Sequence, residues 1–146
     1  MSAENVALVR SLMPPPDLDV KTLVDDDVAS RESRERTEHL YNPAVQCTMR
    51  FPGMAPVTYP GGIDGLRDAW KDWLKSWESY RVDIDDVIDG GERVLVVHRG
   101  SGVHSQGSEE VTRRRATIWT IRNGLIVRVD FNVPYDEALI EAGISE

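Results

Sequence analysis

The chain has 146 residues, one cysteine and a formal net charge of -8, a length suited to one domain over residues 1–146 with a core burying about two-thirds of the unfolded surface. Lone Cys47 excludes an intrachain disulfide, and the acidic balance opposes a nucleic-acid partner. No apolar run approaches the roughly 20 residues of a membrane helix, residues 1–13 offer neither an apolar signal core nor a basic leader, and the cytoplasm is the expected location.

In residues 4–13, Val6, Val9 and Met13 fall on one side of a short helix, which Pro14-Pro15-Pro16 stops because proline cannot donate to a helical ladder. A second helix starts near Asp17. Over residues 25–40 its apolar content thins to Val28, Ala29 and Leu40, while Glu32 with Arg36 and Arg31 with Glu35 fit an exposed surface that also holds His39. Asn42-Pro43 ends it. Residues 44–51 then alternate as a half-buried strand, with Val45, Cys47, Met49 and Phe51 on one face and Gln46, Thr48 and Arg50 on the other.

Residues 52–62, rich in proline and glycine, read as a loop carrying Met54, Val57 and Tyr59. Tyr59 is either a pocket wall or a ring over the core edge. Ile63, Leu66, Trp70, Trp73, Leu74 and Trp77 recur at spacings of three and four, predicting a helix that buries indoles in the core, with Trp73 placed to line a cavity.

Four segments rich in Val, Ile and Thr follow, at 81–88, 93–103, 111–121 and 125–133. Asn123-Gly124 joins the last two as a tight hairpin, since both residues tolerate positive φ. Asp83, Asp85, Asp86 and Asp89 lack the spacing and terminal glutamate of a calcium loop and read as a solvated strand face; no metal and no cofactor is expected. Gly100-Ser101-Gly102 precedes no helix, so it bends a strand rather than opening a dinucleotide site. The order predicts an α+β fold in which helices lie on one face of a curved antiparallel sheet.

On the final strand, alternation turns Val129, Phe131 and Val133 inward and Asp130 outward. His98 shares a face with Val94 and Val96, and the alternation allows either that face or the Leu95 and Val97 face to look inward. If inward, His98 is the candidate general acid or base, being the group that titrates near neutrality without help. His104 reads as exposed. Arg114 must point away from Arg113 and Arg115, which leaves Arg115 either in a solvated strand end or at a pocket mouth. Arg115, Thr117 and Trp119 share a side, where Arg115 would orient an anionic or carbonyl group beside a wall of Phe131, Met49 and Cys47. Cys47 reads as a small buried filler rather than a nucleophile.

The stretches LYNPAVQCTM, GGIDGLRDAW, WLKSWESYR, DGGERVLVV, ATIWTIRNGLIVRVDF and YDEALIEAG resemble the SnoaL-like branch of the nuclear transport factor two-like superfamily, over residues 5–143. The resemblance implies a cystatin-like or SnoaL-like cone, with a bent sheet wrapped around a long helix, a cavity at the open end and often a homodimer. It also implies a small hydrophobic or polyketide- or steroid-like ligand. Members include ketosteroid isomerase, polyketide cyclases, scytalone dehydratase and limonene-type epoxide hydrolases, beside members without catalysis. The aspartate of the epoxide hydrolases aligns here with Phe131, their arginine and second aspartate with His98 and Gly100, and their water-holding tyrosine and asparagine with Cys47 and Met49. That constellation is not matched. Where relatives read His-Pro-Asp with a following glutamate, this chain has Asn42-Pro43-Ala44 and Gln46. The expectation is therefore a ligand-binding cone, with an isomerase, cyclase or dehydratase using His98 as the alternative. In a dimer, Arg99, Arg114 and Arg128 would lie at the partner surface.

Overall fold

The computed structural model describes residues 2–15, 17–105, 107 and 109–143. Pro16 of the proline stop, residues 106 and 108 of one hairpin, and the chain ends lie outside the described residues. In chain order the elements are α1 (Ser2–Arg10), α2 (Val20–Asp25), α3 (Asp27–Thr37), a 3-10 turn (Glu38–Leu40), β1 (Tyr41–Met49), β2 (Val57–Tyr59), α4 (Ile63–Leu74), β3 (Trp77–Gly90), β4 (Arg93–His104), β5 (Glu110–Arg122), β6 (Leu125–Val133) and α5 (Tyr135–Glu141). The strands form a six-stranded sheet ordered β2-β1-β6-β5-β4-β3. Its pairs are antiparallel except β1 with β6, which run parallel.

The sheet bends where strands carry extra residues, since a bulge adds local twist. Register shifts occur in β3 between Ile84 and Asp86 and in the β5–β6 pair between Ala116 and Ile118. In the second, Asn132 takes φ 58 and is buried, donating from Nδ2 to Met49 Sδ at 3.0 Å. This extra residue moves Val133 off the Val129 and Phe131 face. Val133 joins Leu95, Val97, Ala116 and Ile118 in a second cluster under α5, on the far side of the sheet. The inward placement expected for Val133 is thus corrected by the bulge, and helices cover both faces rather than one.

On the concave face, α4 packs its indoles against the sheet. Trp77 does not extend this helix: α4 ends at Leu74 and Trp77 opens β3, where its ring lies between Trp73 and Tyr80 and stacks on His104 at 3.9 Å. A helical spacing survives the change of element because the strand returns its first side chain to the same cluster. Phe51 lies beyond β1 yet packs on Trp73 at 5.7 Å. Gly62 starts α4 at φ 63 where a Cβ would stand 2.1 Å from the Pro43 carbonyl oxygen, so no other residue fits this junction without moving the backbone.

Two small N-terminal helices roof the wide end of the cone. Asp19 caps α2, and its Oδ1 accepts from Lys21 N at 3.1 Å and from Tyr80 N at 3.0 Å, tying the helix to β3. Lys21 Nζ donates to the Trp77 carbonyl at 2.6 Å. Asp26 ends α2 in extended conformation and caps α3, accepting from Val28 N at 2.9 Å and Ala29 N at 3.0 Å. As expected of a largely exposed helix, α3 buries none of its residues; among the described residues the ion pair it makes at spacing four is Arg34 with Glu38 at 3.4 Å, in place of the expected Glu32–Arg36 and Arg31–Glu35 pairs. Replacing Asp26 with alanine should cost about 1 kcal/mol. Because α3 has so little core to anchor it, the loss should appear as faster amide exchange along residues 28–37, with the β4 and β5 amides unchanged; uniform acceleration would show that α3 does not open separately.

Candidate functional site

Between this roof, the first half of α4 and the concave face of the sheet lies a cavity of about 260 Å³. Its floor is laid by β-strand alternation: Val82 and Ile84 from β3, Val96 and His98 from β4, Thr117 and Trp119 from β5, and Phe131 from β6. Cross-strand register explains the grouping, because Val96 stands opposite Thr117 and Val94 opposite Trp119. The other walls come from Leu66, Arg67 and Trp70 of α4, Tyr41, and Ser30, Ser33 and Thr37 of α3, with Val20, Leu23 and Val24 above.

The face of β4 that alternation left open is therefore settled. Val94, Val96 and His98 look into the cone and Leu95 and Val97 lie under α5. His98 is 5% exposed, and its Nε2 lies 3.0 Å from Thr117 Oγ1, whereas its Nδ1 has no hydrogen-bond partner among the described residues. Burial pushes the imidazole down to about 4, with Asp85 opposing the fall and Arg115 adding to it. The ring is neutral at ordinary pH, so one nitrogen carries a proton and the other a lone pair. Trp119, 6% exposed, also leaves its Nε1 without a hydrogen-bond partner among the described residues.

Phe131 lines the cavity and Asp130 does not: the carboxylate lies on the opposite face, accepting from Thr48 Oγ1 at 2.6 Å and from Arg128 Nε at 3.0 Å. Among the described residues, no carboxylate side chain lines this cavity. Apart from Arg115, the sequence candidates fall into two groups. His98, Thr117, Trp119 and Phe131 meet at the cavity, whereas Cys47, Met49, Tyr59 and Trp73 pack in the core behind it. Burial raises the Cys47 thiol to about 12, helped by the charge of Asp130, which leaves it protonated and unreactive. Tyr59 closes the core edge and donates to Asp72 Oδ2 at 2.9 Å.

Arg115 is half-buried beside the cavity, opposite His98 in the β4–β5 register, without lining it. Arg114 points the other way, lying 5.0 Å from the Tyr135 ring and 3.8 Å from Asp85, which also accepts from Arg99 Nε at 2.9 Å. Alternation had given no hint of Tyr41, Arg67 and the serines of α3 as wall residues. The serines come from a segment whose pattern looks wholly solvated, and only its docking over the cone turns them inward; Tyr41 opens β1 and Arg67 belongs to α4. Among the described residues, no cluster of three His, Cys, Asp or Glu side chains is placed to hold a metal ion.

A bent sheet wrapped around one long helix, with a mostly apolar cavity at its wide end, defines the α+β cone proteins. Residues 20–129 match the profile of the SnoaL-like domain, and the chain belongs to that family. No curated protein matches it. Among solved structures it is similar to an NTF2-like protein of unknown function from Burkholderia pseudomallei K96243, with 18% identity, 94% of this chain and 95% of that chain covered, and a TM-score of 0.63. It is also similar to a putative SnoaL-like polyketide cyclase from Jannaschia sp. CCS1, at 17% identity over 88% and 84% of the two chains and a TM-score of 0.63. TerC, crystallised with polyporic acid, shares 17% identity over 95% and 97%, with a TM-score of 0.61. At these identities the likeness speaks for the fold alone.

Proposed function

We propose that this protein binds a small, largely apolar molecule in the cavity at the wide end of its cone. The observation that carries the reading is His98: a neutral imidazole, buried in an apolar cavity, with Thr117 on one ring nitrogen and the other unpaired. Burying an unpaired polar group is costly, and a ligand that partners it recovers that cost. In this reading Trp119 and Phe131 grip the ligand, Thr117 orients His98, and Arg115 tunes its charge from outside. Cys47, Met49, Tyr59 and Trp73 shape the walls from behind. The molecules crystallised with similar proteins, polyporic acid with TerC and trimethylamine with a protein of ketosteroid isomerase-like fold from Catenulispora acidiphila DSM 44928, are consistent with a cavity that takes small molecules.

Binding should raise the melting temperature in proportion to the logarithm of ligand concentration once the site is saturated. Naphthol, naphthalene and tetralone are suitable probes. A Ser33→Trp substitution, which fills the mouth from exposed α3, should abolish the rise. Failure of all three probes to move the wild-type midpoint would defeat the reading.

An isomerase, cyclase or dehydratase with His98 as the base is the second reading, favoured by a ring that stays unprotonated down to about pH 4. It predicts that the protein speeds deuterium uptake at the carbon beside the tetralone carbonyl and that His98→Gln removes the effect; equal uptake with and without protein would leave binding alone. A homodimer is our reading of the convex face, where Gln46, Thr48, Arg50, Thr120 and Arg128 edge an uncovered groove of about 650 Å³. Sedimentation as a monomer would refute it. A cytoplasmic location is supported by the buried, unpaired Cys47, and cell fractionation tests it.

A further inference from the structure

We propose that the ligand of this cavity is an amphiphilic acid, a body of one or two fused rings bearing a single carboxylate that Arg34 and Arg67 hold at the seam between α3 and α4. This rests on the small-molecule reading above and adds a charged group to its ligand. Two helical stripes meet at this end of the cavity. Ser30, Ser33, Arg34 and Thr37 of α3 line it, as do Ile63, Leu66, Arg67 and Trp70 of α4. Each set has the offsets of three, four and seven that mark one face of a helix, and each carries its arginine at the same place. With His98 neutral, these two arginines are the charged side chains that line the cavity among the described residues.

Both side chains are accessible, Arg34 48% and Arg67 38% exposed, and their present partners hold them weakly. Arg34 pairs with Asp64 through Nη1 and lies 3.4 Å from Glu38 through Nε, while Arg67 Nη2 lies 3.0 Å from Asp27. All three carboxylates are exposed and none lines the cavity. An exposed ion pair contributes little, since water solvates both members nearly as well apart, so a ligand carboxylate can take the place of one. Arg67 also has donor capacity to spare, because its Nε makes no hydrogen bond with any described residue. Asp64 stands three residues before Arg67, on the adjoining turn of the same helix face, so its bond to Arg34 brings that guanidinium to the Arg67 end of the cavity. The hydroxyls of Ser30 and Ser33 are further donors there. Opposite this charged end the floor is mostly hydrocarbon from Val82, Ile84, Val96 and Phe131, which suits ring faces. A dry cavity of roughly 150 Å³ holds a benzene, so the volume of about 260 Å³ here admits two fused rings. The rings then lie on the sheet and the carboxylate stays at the accessible seam, which spares it the cost of complete desolvation.

The test titrates ¹⁵N-labelled protein with naphthoate, naphthalene and naphthylmethylamine, which share a ring body and differ in charge. Naphthoate should bind about tenfold tighter than naphthalene, and the protonated amine more weakly than either. Added salt should weaken naphthoate and leave naphthalene unchanged. Replacing both Arg34→Gln and Arg67→Gln should bring naphthoate down to the affinity of naphthalene. The pair Arg31→Gln and Arg36→Gln removes the same charge from positions of α3 that do not line the cavity, and should keep the preference. Equal affinity of the wild type for naphthoate and naphthalene, or an amine bound as tightly as the acid, overturns the carboxylate and leaves the small-molecule reading intact; both comparisons stand even if a variant fails to fold. A preference that survives the loss of Arg34 and Arg67 overturns their role. No response to any of the three probes overturns this proposal and the reading beneath it.

Discussion

Acidification from pH 6.5 to about 4 should remove about 3 kcal/mol of folding stability through His98 alone. In the unfolded chain this histidine titrates near 6.5, whereas burial lowers it to about 4 in the folded protein, with Asp85 partly opposing and Arg115 reinforcing the shift. Between those values the unfolded state binds a proton that the folded state refuses, so stability rises with pH across the window. The contribution is complete above the unfolded value and gone below the folded one. Urea midpoints of the wild type and His98→Gln across this range isolate the effect, because the carboxylates that also titrate there are common to both. The wild type should lose more stability than the variant, and parallel curves would show that His98 is not desolvated as described. The two neighbours give a finer check by chemical-shift titration: Arg115→Gln should move the histidine up and Asp85→Asn should move it down. A neutral His98 is also what the proposed ligand needs, since protonation would put a charge into the cavity and fix both nitrogens as donors.

Gly102→Ala should be the most damaging single-methyl addition in the sheet, costing about 3 kcal/mol. A Cβ at this position would stand 2.2 Å from the Ser79 carbonyl oxygen and 2.8 Å from a ring carbon of Trp77, so the β3–β4 backbone pair itself must part. Gly100→Ala provides the contrast. Its Cβ would meet the Tyr80 hydroxyl at 1.8 Å, the far end of a side chain that can swing, and Tyr80→Phe should recover part of the loss. Equal urea midpoints for Gly102→Ala and the wild type would mean that the two strands do not pack as described. The glycines let aromatic rings of β3 lie across β4: Gly100-Ser101-Gly102, expected to bend the strand, keeps regular register with both neighbours, and its two glycines make room for Tyr80 and Trp77.

How far the site was legible depends on the segment. Phe131 could be placed inward and Asp130 outward from the alternation of β6, because that strand has one oily and one polar side until the bulge. The Asn123-Gly124 turn was equally clear: it requires two residues at positive φ, and here they take 52° and 77°. Period failed where both faces of a strand are covered. In β4 the run Val94 to Val97 is apolar throughout, since α4 packs on one side and α5 on the other, so no phase marks which way His98 points.

Hydrophobic period and turn chemistry are local properties, and by themselves they determined the strands of the central meander, the indole-bearing helix and the α+β class. Tertiary structure alone decided the parallel seating of β1 on β6, the Asn132 bulge that sends Val133 to the far face, and the docking of a charged helix pair as the roof of the cavity. Those outcomes depend on partners distant in the chain, and with them came the inward face of His98, already a candidate in the sequence.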